Sequence, residues 1–209
     1  MMKKKKNVDA LIREAKEKRQ KFLLLTDCAL TELPESVCEL VQLERLEAWG
    51  NKLKTLPKNM PNLVNLTELE LSKNEFKWPT DVCAVGSLRE LGLSDNKISE
   101  IPPQIGQLQR LVALDLSYNQ IKRIPAELGA LPELVSLDLS SNQLKSIPEP
   151  VLSQMTKLTQ LFIGGNPEMR IVPAHILDHP SLAEVHLDSE QYRNVPQSVI
   201  KRGRPKVHI

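Results

Sequence analysis

Few side chains in this 209-residue sequence are placed to do chemistry. His175 and His179, in "HILDH", are four residues apart with Asp178 between them, a spacing at which two imidazoles share one face of a helix as metal ligands do. A third strong ligand is missing nearby, so no metal or cofactor is expected. Cys38 and Cys83 occupy equivalent places in "PESVCEL" and "PTDVCAV", which suits small buried side chains better than nucleophiles. Ser94, Ser117 and Ser140 have no His and acid at a matching spacing. Phosphate-cradling G-x-x-x-x-G-K-[ST], G-x-S-x-G, H-E-x-x-H and C-x-x-C are all absent. The expectation is a protein that is not an enzyme.

What positions these residues is a repeat. Prolines 34, 57, 79, 102, 125, 148, 173 and 196 recur at spacings of 23, 22, 23, 23, 23, 25 and 23. Asn51, Asn74, Asn96, Asn119, Asn142 and Asn166 keep the same beat, with Cys28 one step earlier. The unit reads L-x-x-L-x-L-x-x-N-x-L-x-x-L-P, then x-x-I/V/L-x-x-L. In L-x-L the apolar residues alternate with polar ones, the period of a strand with one buried face. Asn brings donors and an acceptor on a short side chain, able to satisfy backbone groups that stacking would otherwise bury unpaired.

This unit resembles the leucine-rich repeat, and its 23-residue, Pro-bearing form is similar to the cytosolic Ras-suppressor and Ras-scaffold group. The resemblance implies an α/β solenoid, a right-handed curved horseshoe fragment with a parallel sheet on the concave face and short helices or 3-10 turns on the convex face. About eight units fill residues 22–200. Residues 1–21 form a basic segment in which Val8, Leu11, Ile12 and Ala15 predict a helix lidding the first turn, and residues 201–209 form a basic tail. The eighth unit, "LAEVHLDSEQYRNVP", lacks the Asn and is expected to close the stack. In "FKWP", Trp78 is expected to fill space normally shared by two smaller side chains, and "NPEMRIVP" is expected to bulge.

Charge is unevenly spread. The first 21 residues carry nine Lys/Arg against three Asp/Glu and residues 201–209 four against none, so in a chain of net +2 the body stands at −8. Outward columns of the inner sheet hold Arg45, Glu47, Glu68, Glu70, Glu90, Asp95, Asp115, Asp138, Glu184 and Asp188, with Asp27, Lys73 and His186. An acidic trough is expected there, and a basic rim of Lys52, Lys54, Lys97, Lys122, Arg123 and Lys145 beside it. Trp49, Tyr118 and Phe162 share these columns and are of the type that anchors interfaces.

These residues predict a binding face for a protein with a basic or mixed-charge surface. The family resemblance implies a scaffold or adaptor in intracellular signalling, with a small GTPase or phosphatase as partner and the concave face as the binding surface. The tail "KRGRPK" resembles the core of the AT-hook, which implies an alternative, a nuclear or DNA-associated protein reading A·T-rich minor grooves through Arg202, Gly203, Arg204 and Pro205. Three cysteines, an odd and small number without close pairing in sequence, do not read as a disulfide framework and favour a reducing compartment. No run approaches the ~20 apolar residues of a membrane span. The expected address is the cytoplasm, with the nucleus as the alternative.

Overall fold

The computed structural model describes residues 7–209; the lysine run of "MMKKKK" lies outside them. Nine three-residue strands run in chain order through one parallel sheet: β1 (Phe22–Leu24), β2 (Arg45–Glu47), β3 (Glu68–Glu70), β4 (Glu90–Gly92), β5 (Ala113–Asp115), β6 (Ser136–Asp138), β7 (Gln160–Phe162), β8 (Glu184–His186) and β9 (Lys206–His208). The middle residue of every strand pairs in register with the middle residue of the next, from Leu23↔Leu46 to Val185↔Val207. Register is fixed because a slip of one residue would turn every buried leucine to solvent.

Each strand from β1 to β8 is followed by a second inward residue, and these pairs (Leu114 and Leu116, Leu137 and Leu139, and their equivalents) form one continuous aliphatic core. From Leu23 to Leu187 none of them is more than 4% exposed. The marker prolines sit where the chain turns back. Pro34, Pro79, Pro102 and Pro125 precede 3-10 turns at Glu35–Glu39, Thr80–Ala84, Pro103–Gln107 and Ala126–Ala130. Pro148, Pro173 and Pro196 precede helices α2 (Glu149–Leu152), α3 (Ala174–Leu177) and α5 (Gln197–Arg202). At these positions a missing N–H costs no helical hydrogen bond.

Asparagines form a polar ladder beneath the sheet. Asn119 donates through Nδ2 to the carbonyls of Leu93 (2.9 Å) and Leu116 (3.1 Å) and accepts at Oδ1 from Ile98 N (2.9 Å). Asn74, Asn96 and Asn142 repeat the pattern. Just before each rung the chain enters the left-handed region, at Asp27, Gly50, Lys73, Asp95, Tyr118, Ser141 and Gly165.

Helix α1 (Val8–Glu17) closes the first end. Asn7 caps it by accepting from Ala10 N, and Ile12 and Ala15 are buried against the first turn. The far end differs from expectation. Residues 201–209 are no free tail: α5 continues to Arg202, and β9 joins the sheet through Lys206 N to Ala183 O (2.7 Å) and Leu187 N to His208 O (2.9 Å). Val207 packs against the core, so the eighth unit is not the last. Its missing Asn is replaced by Gln191, buried in α4 (Ser189–Arg193), whose Nε2 donates to Ile163 O and Met169 O. In the third unit Phe76, fully buried, takes the inner position and Trp78 is only half-buried beside it. The longer seventh unit buries Met169 and Val172 and pushes Ile171 outward.

Candidate partner-binding face

Side chains between the buried leucines line up across the concave face because every strand pairs without offset. One column runs Leu24, Glu47, Glu70, Gly92, Asp115, Asp138, Phe162, His186, His208, and its neighbour Phe22, Arg45, Glu68, Glu90, Ala113, Ser136, Gln160, Glu184, Lys206. The face is set with acids, but many of them are tied down. Arg45 pairs with Glu47 (2.6 Å) and Glu68 (3.0 Å). Asp115 accepts from Ser117 N and Oγ, and Asp138 from Ser140 N and Oγ; Glu70 takes Ser72 N at 2.8 Å. The repeat serines thus orient the acids. Burial raises the Asp138 carboxyl above its ordinary value, against the pull of the Ser140 hydroxyl and amide. Glu90 and Asp95 are exposed. Asp188 serves another end, capping α4 through Glu190 N and Gln191 N.

Gly92 interrupts the column, and the flexible carboxylate end of Glu70 lies in the space that a side chain there would take. Beside it Arg45, Glu47, Trp49, Glu70, Lys73 and Asp115 line a hollow of about 430 Å³. Tyr118 is 63% exposed on the far flank and Trp49 is half-buried. Phe22 and Leu24, 57% and 46% exposed, add an apolar edge on β1. Phe162 has a different setting from the anchor expected of it, since its ring stacks on His186 with centroids 4.1 Å apart. Of the basic rim, Lys97 pairs with Glu75 (2.9 Å), while Lys122, Arg123 and Lys145 surround an open hollow of about 620 Å³.

His175 and His179 each donate from Nε2 to a backbone carbonyl, Ile147 O at 2.8 Å and Leu152 O at 2.9 Å, and do not converge as a ligand pair. A cluster the sequence reading missed lies elsewhere: Glu184, His186 and His208 place one ligand atom each within 4.8 Å of the others. Gln160 donates to Glu184 Oε2 (3.2 Å); this bond, and then the nearby imidazoles, hold the Glu184 carboxyl below its usual range. A signal was present, because "EVHL" at 184–187 returns as "KVHI" at 206–209, 22 residues on.

The AT-hook-like residues are folded into the closing turn. Arg202 pairs with Asp178 (2.8 Å) and donates to Leu177 O (2.9 Å), Gly203 takes the left-handed position ending α5, and Pro205 is buried. A groove-reading hook needs this stretch extended and its arginines free; here the stretch is folded and Arg202 is held, while Arg204 is exposed. Cys28, Cys38 and Cys83 are buried. Among the described residues no helix is long and apolar enough to cross a membrane.

A family model described as leucine rich repeat matches residues 86–144. The mouse leucine-rich repeat and calponin homology domain-containing protein 1 is 37% identical over 86 residues, 41% of this chain but 12% of that protein. Adenylate cyclase of Schizosaccharomyces pombe is 40% identical over 70 residues, 33% of this chain and 4% of that one. The chain therefore spans a small fraction of the curated relatives it matches. A solved leucine-rich repeat protein of Leptospira interrogans superposes with a TM-score of 0.63 at 26% identity, over 93% of this chain and 57% of that one. Register, polar ladder and likeness agree, and the chain is a leucine-rich repeat protein.

Proposed function

We propose that the protein is a non-catalytic interaction module that binds a protein partner on its concave face. The observation that carries this reading is the in-register alignment of Arg45, Glu47, Glu68, Glu70, Glu90 and Asp115 beside two neighbouring hollows, one lined by Gly92 and the other by Trp49. Acids outnumber bases there, and acids oriented by backbone amides and serines present fixed charge with little entropy left to lose on binding. The partner is a protein with a basic or mixed-charge surface, for which a half-buried Trp49 and exposed Tyr118 are the anchors. The role is a scaffold or adaptor in cytoplasmic signalling, with a small GTPase or phosphatase as the partner class; the similarity of the repeat to the Ras-suppressor and Ras-scaffold group supports it, and the fold alone serves many functions.

Affinity capture with mass spectrometry tests this. A partner held by the wild type is expected to be lost with the double variant Trp49→Ala, Tyr118→Ala, and to weaken steadily as salt rises from about 0.05 to about 0.5 M, since exposed charge attraction is screened. A partner retained by the double variant, or indifferent to salt, overturns the concave-face assignment.

A further inference from the structure

The last two strands bring together a group of side chains that the repeat does not call for. His186 and His208 are directly paired across β8 and β9 and point to the same face, as does Glu184, two residues before His186. The imidazoles stack at 4.6 Å with Phe162 beneath them. Yet Nε2 of each ring is shielded from solvent and makes no hydrogen bond. His186 Nε2 is 3.7 Å from Glu184 Oε2, too long for one. Shielded polar nitrogens without partners are rare, and each needs an explanation, a bound ion being one.

We propose that Glu184, His186 and His208 form a binding site for a borderline divalent transition-metal ion, zinc foremost, at the C-terminal end of the concave face. Two imidazoles and one carboxylate form the donor set that zinc takes in open sites, leaving positions for water or for a donor from a partner. Gln160, donating to Glu184 Oε2, is the outer contact that orients the carboxylate. Asp138 adds negative charge from two strands away, while Lys206, paired with Glu184 in register, opposes it from an exposed position. The rings lie nearly parallel, and a shared ion must lie in the plane of each at about 2 Å. Binding therefore rotates the imidazoles out of their stack and draws the three ligand atoms inward from their present spacing. Hard cations such as magnesium prefer oxygen and are not expected to bind. The site stands independently of the partner-binding reading.

The test is calorimetric titration of the chelator-treated full chain with zinc chloride and, separately, magnesium chloride. One equivalent of zinc is expected to bind, at least about tenfold more weakly in His208→Ala and in Glu184→Gln, with no magnesium heat. In wild-type protein, long-range ¹H–¹⁵N spectra should show the nitrogens of His186 and His208 shifting with zinc while those of His175 and His179 stay, a readout that needs no variant to fold. Absence of zinc binding, wild-type affinity in both variants, or shifts confined to His175 and His179 would overturn the proposal.

Discussion

Asn119 shows what a single repeat letter contributes. Its amide satisfies Ile98 N, Leu93 O and Leu116 O, none of which has water to turn to. Asn119→Ala is therefore expected to cost about 2–4 kcal/mol, since each orphaned buried group costs about 1–3 and partial relaxation recovers some; chemical denaturation of variant and wild type measures it, and a loss under about 0.5 kcal/mol would refute the ladder's role. Cys38 shows the opposite case, a reactive group disarmed by place. Burial, and then the neighbouring Glu35 charge, push its thiol up to about 11. With an ordinary thiol near 8.5, the thiolate fraction at pH 8 drops by about two orders of magnitude. Labelling of Cys38 by a thiol reagent at pH 8 should be at least ~100-fold slower native than denatured, and should keep rising with pH toward 11; fast native labelling would contradict its burial.

Elements in this molecule hold together through their neighbours. A three-residue strand and a five-residue 3-10 turn have no stability of their own, and each is kept by the rung on either side. The end pieces are therefore the weakest. Helix α1 carries Ile12 and Ala15 against the first turn, so Ile12→Asp places an unpaired charge in that contact. Amide exchange in α1 and β1 should accelerate at least tenfold while β5 and β6 keep their wild-type protection. Equal acceleration throughout would mean that the stack opens as one cooperative unit. On the C-terminal side α5 and β9 add one more strand to the sheet, and a stretch as basic as "KRGRPK" is ordered there: Gly203 ends the helix, Pro205 is buried, and Val207 supplies the apolar contact.

At the scale of the whole molecule, the sequence determined the architecture. Leucines at fixed intervals leave one way to bury them all, namely turns stacked in parallel, and Asn at a fixed offset settles which backbone groups meet; the outward columns follow because side chains alternate along a strand. It did not show the ninth strand, since "KVHI" is too short to read as a turn and its basic approach looked like a free end. Nor did it show that Gln191, from a helix, replaces the missing Asn, because that depends on the path of the chain between β8 and α5. Tertiary structure alone decided which acids are already held, by Arg45 or by the serines, and which residues meet across strands. Glu184 and His208 are 24 positions apart, and only the unshifted pairing of β8 with β9 places them on one surface beside His186. Periodicity is a local property that a sequence writes directly; the meeting of side chains from different turns depends on how far each turn advances before it closes.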